Sequence, residues 1–301
     1  MLLWALSSAG LASGACSLVL PFGDLSSDAG VDDTSDAGAV DADDARDGTS
    51  PADAADAPPP ETDASRDAAS AFPDGSWCAA QPPGMALCDD FDFESSPLER
   101  WTRQQFDVLG SSGYSLTAES PPHSFSIHMP SLTANSYFIE ALEKDVAPAA
   151  SASALSFSFS LEPSFPWEDA GEGGVTGDGF MLIANLSQGP GAPRTALSMD
   201  VEPTGTSLRE QLTSADGGTS FPPPQYTSSV PQAGRWTHVV IDVDFASATA
   251  TLSLDGAKVV TLALSGAWSA SAATTVYLGD WYIHSTPSFE LRYDNVIIRQ
   301  R

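Results

Sequence analysis

The chain has 301 residues, with 12 Lys and Arg against 40 Asp and Glu, so its formal net charge at pH 7 is −28. Such a polyanion gains nothing from counterion release at phosphates and is repelled by anionic lipid surfaces, which argues against nucleic-acid and membrane-surface partners. No apolar run reaches the 18 or more residues that a membrane-spanning helix requires.

The first sixteen residues, MLLWALSSAGLASGAC, combine an apolar stretch with small residues that end at Ala15 and Cys16. This pattern is typical of a secretory signal peptide with a small-residue cleavage site. A cysteine directly after Ser-Gly-Ala also resembles the lipobox of bacterial lipoproteins, whose cysteine is acylated. We therefore expect an exported chain held in the cell envelope as an outer-membrane lipoprotein by a lipid on Cys16. The alternative is ordinary signal-peptidase cleavage and a secreted chain.

Residues 17–76 are dominated by Asp, Ala, Ser, Thr and Pro, and residues 1–77 hold 15 acids against 2 bases. Such a segment cannot bury enough apolar surface to offset its chain entropy, and its like charges repel one another. The composition predicts a disordered linker that holds the domain formed by residues 77–301 away from the anchor.

If Cys16 carries a lipid, Cys78 and Cys88 are the remaining cysteines and can pair in only one way. A zinc site is disfavoured, because two cysteines ten residues apart with no nearby histidine lack the four ligands that zinc takes. We therefore predict a disulfide between Cys78 and Cys88, which fits export into an oxidising compartment.

The remaining 224 residues alternate apolar and polar side chains with period two almost throughout, which predicts half-buried strands. In residues 153–163 the apolar positions are Leu155, Phe157, Phe159 and Leu161, and serines lie between them. In residues 235–245 one face holds Val239, Ile241, Val243 and Phe245. Further strands are predicted within residues 179–186, 194–202, 248–264, 274–283 and 289–299.

Turn signals separate these strands. Asp255-Gly256 predicts a hairpin, and the Pro- and Gly-rich residues 165–179 and 213–229 predict long surface loops. Residues 137–145 could pass for a short helix, but their neighbours are strands, so we predict a strand. Short strands joined by turns favour an all-β fold, an antiparallel β-sandwich.

Several segments together resemble the concanavalin A-like lectin/glucanase superfamily, and within it the laminin-G-like branch. The most specific is GRWTHVVIDVD, followed by a strand that ends in LSLDG; the others are CDDFDF (88–93), SPPHSFSI (120–127), VYLGD and the closing YDNVIIR. The resemblance covers residues 88–299 and implies a jelly roll of two curved sheets. Members of this superfamily bind or cleave glycans or act as adhesion modules.

No catalytic residues are predicted. Glucanases of the superfamily carry Glu-x-Asp-x-x-Glu on one strand, but around Asp200 the two glutamate positions hold Ser198 and Pro203. Glu202 shares a face with Asp200, and we interpret this pair as solvated acids. The four histidines show no metal or triad spacing.

Sugar rings stack on exposed aromatic side chains, so candidate ligand-binding residues are aromatics outside the predicted core. Trp281 and Tyr282 are adjacent on one strand and must point to opposite faces, so at most one is buried. Trp167 and Tyr226 lie in the two predicted loops.

The resemblance also implies calcium where the first and last strands meet. The matching residue is Asp294, with Asp90 or Asp92 of the opening strand as neighbours, and no other cofactor is required. The alternative for Asp294 is a solvated acid or a bulge cap, because the apolar alternation shifts at Asp294-Asn295.

The sequence therefore favours a surface-anchored, non-catalytic carbohydrate-binding or adhesion module whose partner is a glycan or glycoprotein. Two alternatives stay open. One is a glycan-active hydrolase or lyase with a non-standard active site, which requires paired carboxylates about 5 to 9.5 Å apart in a groove. The other is a structural protein of the cell envelope, which requires a flat apolar patch.

Overall fold

The computed structural model describes residues 76–92, 99–106, 110–130, 139–164, 181–189, 193–202, 204–281 and 288–301. Within these ranges the chain forms strands and a single 3-10 turn at Cys78–Ala80, so the all-β prediction is confirmed. None of the described residues forms a helix that is long and apolar enough to cross a membrane. The predicted signal peptide, Cys16 and almost all of the predicted linker lie outside the described residues.

Two antiparallel sheets face each other. Sheet 1 contains, in spatial order, β14 (Ala257–Ala263), β13 (Thr249–Leu254), β12 (Thr237–Asp244), β6 (Ala154–Pro163), β16 (Phe289–Gln300), β4 (Ser124–Met129) and β3 (Ser111–Ser115), and β1 (Leu87–Asp89) pairs with β16.

Sheet 2 contains β10 (Thr219–Ser220), β9 (Gly205–Thr213), β8 (Arg194–Glu202), β7 (Met181–Gln188), β15 (Thr274–Trp281), β5 (Ile139–Val146) and β2 (Arg103–Phe106), and β11 (Gln225–Thr227) pairs with β9. Neighbours are consecutive in sequence from β12 to β14 and from β7 to β10, whereas β6, β16 and β4 of sheet 1 and β15, β5 and β2 of sheet 2 join strands that are distant in sequence.

The core lies between the sheets and follows the predicted alternation. Phe157 and Phe159 of β6 are completely buried, and in the register of β6 with β12 they lie opposite Ile241 and Val239. The two phenylalanine rings lie 5.1 Å apart, and the ring of Phe159 lies 6.0 Å from that of Tyr293 on β16. The intervening serines point away from sheet 2, because successive side chains of a strand alternate between faces.

Two local predictions about backbone geometry are confirmed. Asp255 and Gly256 join β13 to β14 with φ of 50° and 76°, the positive values that a type I′ hairpin turn requires at both positions. On β16 the register with β6 shifts between Asp294 and Ile297, and Asn295 has φ of 52°. This bulge is the break in alternation that the sequence shows at Asp294-Asn295.

The predicted disulfide is present between Cys78 and Cys88, with a Cα–Cα distance of 5.8 Å. Both cysteines pack on Ile297, on the outer side of sheet 1, together with Trp77 and Met85. The disulfide therefore fixes the first described segment against the last strand of the domain.

The structure corrects the end of the opening strand and the predicted loop at 213–229, and it confirms the strand predicted at 137–145 from Ile139 onward. The opening strand ends at Asp89 instead of residue 93, because Asp89 accepts the N–H of Phe91 at 3.0 Å and Phe91 adopts φ of 53°. The predicted loop at 213–229 contains β10 and β11, which both pair with β9. Residues 137–145 are confirmed as a strand from Ile139 onward, and this strand continues to Val146.

Replacing Phe159 by alanine is expected to lower the free energy of unfolding by about 3 to 5 kcal/mol, because the side chain is completely buried and a cavity would remain. Ser158→Ala, one residue away and on the opposite face, should change it by less than about 0.5 kcal/mol. Urea denaturation of the two variants checks this, and equal losses would contradict the placement of these faces.

Candidate functional site

The outward side of sheet 2 carries polar side chains on six of its strands, and we call this side the polar face. Apolar side chains of sheet 2 such as Leu197, Leu186 and Leu278 point into the core, so the residues between them point outward. The strand register places one row of these outward side chains across six strands: Arg209, Ser198, Asn185, Tyr277, Glu143 and Arg103. Six strands at about 4.8 Å spacing give a row roughly 24 Å long.

The polar face is recessed. Asn185 is 3% exposed, Gln211 7% and Glu143 2%, although all three side chains point away from the core. Asn185 Oδ1, Gln211 Nε2 and Glu143 Oε1 are buried and have no hydrogen-bond partner in the described part of the chain. Buried polar atoms are normally hydrogen-bonded, so these three atoms leave one donor and two acceptor positions of the polar face unsatisfied in the described part of the chain.

At one end of the polar face, Arg209 lies between two carboxylates. Its Nε donates to Asp200 Oδ2 at 2.9 Å, and its Nη2 lies 3.9 Å from Glu202 Oε1. Asp200 is completely buried, and burial raises the pKa of its carboxyl, against the lowering effect of Arg209 and the Ser198 and Ser207 hydroxyls. The interpretation of this pair as solvated acids is therefore wrong for Asp200; the prediction that it shares a face with Glu202 agrees with the strand alternation.

Tyr226 lies beside this cluster. It pairs with Ser207 across β11 and β9, and Ser207 in turn pairs with Asp200 across β9 and β8. Burial is the main cause that raises the pKa of Tyr226, and the negative charge of Glu202 raises it further. With 57% of its surface exposed, Tyr226 is one of three large apolar or aromatic side chains that the described residues leave exposed.

At the opposite end, Arg103 holds two acids of β5. Its Nε donates to Glu143 at 2.9 Å, and its two terminal nitrogens donate to Asp145 at 3.0 Å. Tyr277 of β15 lies directly opposite Glu143, and burial, followed by the charge of Glu143, raises its pKa. On the polar face, two acids therefore share one arginine at each end.

The structure describes only one predicted aromatic contact residue completely. Tyr226 is exposed on β11, as required for stacking on a ligand. Trp281 is the last residue of β15, but its side chain lies outside the description, as do Tyr282 and Trp167 entirely. The sequence predicted aromatic ligand-binding residues and did not identify Asn185 and Gln211. The pattern that includes them, a polar residue at every second position of a strand, is also typical of any solvated face.

The three predicted calcium ligands occupy different surroundings. Asp294 is buried at the bulge, where its carboxylate accepts the N–H groups of Ser120 at 2.8 Å and Asn295 at 2.7 Å, and burial raises its pKa to about 7. Asp90 accepts the N–H of Cys78 at 2.9 Å, and its other oxygen is buried without a described partner. Asp92 is near Asp90, and burial together with that charge raises its pKa to about 6.

These carboxylates do not form a complete ligand set. Among the described residues, no group of three or more His, Cys, Asp and Glu side chains is arranged to hold a metal ion. Calcium takes six to eight oxygens, and each carboxylate oxygen of Asp294 already accepts one amide N–H. Calcium binding by Asp294 together with Asp90 or Asp92 stays a prediction.

The sequence matches a laminin-G model of the concanavalin A-like lectin/glucanases superfamily over residues 175–301. The predicted resemblance is thus confirmed for this part of the chain, which contains the GRWTHVV and YDNVIIR segments. No protein among the curated sequences matches the chain.

Many solved structures share similarity with this chain at low identity. A sialidase has a TM-score of 0.43 and 15% identity over 72% of this chain, which spans only 19% of the sialidase. Alginate lyase A1-II', a member of polysaccharide lyase family 7, has a TM-score of 0.41 and 11% identity over 62% of this chain and 82% of its own. Alginate lyase Aly36B, in complex with an alginate trisaccharide, has a TM-score of 0.40 and 13% identity over 64% of this chain and 88% of its own.

Replacing Arg209 by glutamine is expected to lower the free energy of unfolding by about 2 to 3 kcal/mol at pH 7, because Asp200 stays buried without its cation. Burial already raises the pKa of Asp200, and loss of Arg209 raises it further. A protonated Asp200 carries no charge, so the loss should shrink as the pH falls. Thermal and urea unfolding between pH 4 and pH 8 measure this.

Arg235→Gln serves as the matched control, because Arg235 forms an exposed salt bridge with Asp255 at 2.9 Å on sheet 1. Exposed pairs contribute little, so this variant should differ from the wild type by less than about 0.5 kcal/mol at every pH. Adding Asp200→Asn to Arg209→Gln should restore part of the lost stability at pH 7. A pH-independent loss in Arg209→Gln would show that Asp200 is not the group left unpaired.

Proposed function

We propose that this chain, whose residues 175–301 match the concanavalin A-like lectin/glucanases superfamily, is a carbohydrate-binding module that holds a glycan on the polar face of sheet 2. The observation that carries the proposal is the set of buried, unpartnered polar atoms on Asn185, Gln211 and Glu143, all on one outer face. Sugar hydroxyl groups both donate and accept hydrogen bonds, so one ligand can satisfy an amide oxygen, an amide nitrogen and a carboxylate oxygen together.

The shape of the polar face also supports a glycan. The row of outward side chains is roughly 24 Å long, enough for several sugar rings of an extended chain. Tyr226 adds an exposed aromatic ring at one end, and such rings stack on the apolar faces of sugars. Two arginines hold the four acids of the face, Asp200 with Glu202 and Glu143 with Asp145, so the face keeps a negative charge that disfavours an anionic glycan and favours a neutral one.

Replacing Tyr226 by alanine is expected to weaken retention by a neutral polysaccharide about five- to tenfold, because stacking on a sugar ring is lost. Affinity electrophoresis in gels containing β-glucan, xylan or mannan measures retention directly. Leu116→Ala is the matched control, since Leu116 is 84% exposed but follows β3 in sheet 1. Equal effects of the two variants, or a folded wild type that none of the gels retains, would contradict the proposal.

A hydrolase is the second candidate, and the spacing of Asp200 and Glu202 favours it. They lie two residues apart on one strand, so both side chains are on the same face and their Cα atoms are about 6.6 Å apart, and glycosidases likewise hold two carboxylates close together. Arg209 interacts with both carboxylates, and burial raises the pKa of Asp200 as a general acid requires.

If the chain is a hydrolase, the wild type should release reducing ends from a neutral glycan, and Glu202→Gln should lower the rate by about a hundredfold or more. Asp242→Asn is the control, because Asp242 is an outward acid on sheet 1 paired with Arg301. A wild type that binds glycan but releases no reducing ends supports the binding module. Release that Glu202→Gln leaves unchanged would exclude catalysis by this pair.

The domain is displayed at the cell surface in this proposal, with the segment before residue 77 as a spacer and a lipid on Cys16 as the anchor. Its support is the acidic, Pro- and Ala-rich composition of that segment and the small residues before Cys16. Labelled palmitate should be incorporated by the full chain and not by Cys16→Ala. Equal labelling of both chains would contradict the anchor and leave the proposal for the polar face intact.

A further inference from the structure

The centre of the polar face is a small depression around Ala196 on β8. Leu197 points into the core, so Ala196 points outward, yet it is buried. Ser187 of β7 and Gln211 of β9 lie on either side of Ala196 in the register of the sheet, and Ser198 lies on the same face of β8. All four outward residues are buried and neutral. We call this place the Ala196 depression.

Three longer side chains surround the Ala196 depression and form its rim. Arg194 lies on the same face of β8, Arg209 on the same face of β9, and Tyr277 on β15, next to β7. Each of them is half-buried. Arg209 is already paired with Asp200 at 2.9 Å. The charged groups therefore belong to the rim, and the floor of the depression offers neutral groups to a ligand.

Two buried amide side chains lie on opposite sides of β8, and each has an unsatisfied atom. Gln211 Nε2 on β9 is a donor, and Asn185 Oδ1 on β7 is an acceptor; neither has a hydrogen-bond partner in the described part of the chain. A buried polar atom without a partner is destabilising, and a ligand that supplies the partner recovers that free energy. The group that fits must accept on one side of β8 and donate on the other.

The register of the strands fixes how far apart these two amides begin. Gln211 lies opposite Ala196, and Asn185 lies opposite Ser198, so the two are two strands apart across the sheet and two residues apart along it. The standard strand spacing and rise then separate their Cα atoms by about 12 Å.

This separation favours a secondary amide over a hydroxyl group. A hydroxyl group has its donor and its acceptor on one oxygen, so both side chains would have to converge on a single point. A secondary amide has them on two atoms, and in the planar trans form its N–H and C=O point in opposite directions. An amide above β8 therefore reaches both sides.

We propose that the Ala196 depression binds the acetamido group of an N-acetylated sugar, an inference that rests on the proposed function. The acetamido oxygen accepts from Gln211 Nε2, its N–H donates to Asn185 Oδ1, and its methyl group packs on the methyl group of Ala196. The acetamido group carries no charge, so its burial among neutral groups requires no counterion. The ligand enters when a side chain of the rim rotates outward, and the backbone of the sheet stays in place. The glycan of the polar face is then one that contains N-acetylhexosamine units.

Isothermal titration of the full chain with fully N-acetylated chitotriose and with cellotriose tests the proposal. The two trisaccharides share their ring and linkage and differ at carbon 2, which carries an acetamido group in one and a hydroxyl group in the other. The N-acetylated trisaccharide should bind about tenfold more tightly, because its amide satisfies two buried atoms. Equal affinity for the two would overturn the inference and leave the proposed function standing.

Three variants make the result specific. Gln211→Met should fold, because the nitrogen that it removes has no partner in the described part of the chain, and it should reduce the preference for the N-acetylated trisaccharide about fivefold. Ala196→Val fills the place of the acetamido methyl group and should abolish the preference. Gln232→Met is the matched control, since Gln232 is exposed before β12 of sheet 1, and it should keep the full preference. An undiminished preference in Gln211→Met and Ala196→Val would overturn the proposal.

Two further measurements separate this inference from a peptide site and from the proposed function itself. Tri-alanine carries secondary amides without a sugar ring, so binding as tight as that of the N-acetylated trisaccharide would show a peptide site and overturn the inference. If the folded chain binds neither trisaccharide, the inference fails. Retention of the chain in gels containing β-glucan, xylan or mannan then decides whether the proposed function fails with it.

Discussion

The packing of two antiparallel sheets against each other determines where the polar side chains of this domain can lie. Phe157, Ile241 and Leu197 are completely buried between the sheets, and each strand has only two faces. A shift of one residue in any strand would move its apolar set to the solvent side, so the burial of the core also fixes the register. The polar face exists because the residues between these apolar positions must point outward.

Some polar residues of sheet 2 point inward and form hydrogen bonds at the ends of the sandwich. Glu210 and Gln188 lie on strands of sheet 2 but bond to the segment that follows β14. A Cβ on Gly266 would lie 2.3 Å from the Thr195 methyl group and 2.9 Å from a Leu212 methyl group, so glycine lets this segment approach the sheet without displacing these side chains. The hydrogen bonds that backbone N–H groups donate to the buried Glu210 carboxylate therefore close one end of the domain.

The local charge of the polar face differs from the charge of the chain. Asp200 and Glu143 are buried beside Arg209 and Arg103, and the same arginines also contact Glu202 and Asp145, so two cations offset part of the charge of four acids. At the other end of β8, Arg194 is half-buried, and burial lowers the pKa of its guanidinium. Buried charges are screened less by salt than exposed ones, so these local arrangements matter more for a ligand of the sheet than the net charge of the whole chain does.

The sequence by itself determined the all-β class, the core positions of β6 and β12, the Asp255-Gly256 hairpin, the β16 bulge and the disulfide. Each depends on neighbouring residues, on a period of two or, for the disulfide, on an unambiguous pairing. The tertiary structure decided which outward residues are recessed. Asn185, Gln211 and Asp200 occupy outward positions like the half-buried Ser158, yet they are buried, and the difference comes from side chains on other strands, as where Arg209 of β9 lies against Asp200 of β8. Sequence patterns record which face a residue occupies, whereas only the assembled sheet determines whether that face meets water, a partner atom or a ligand.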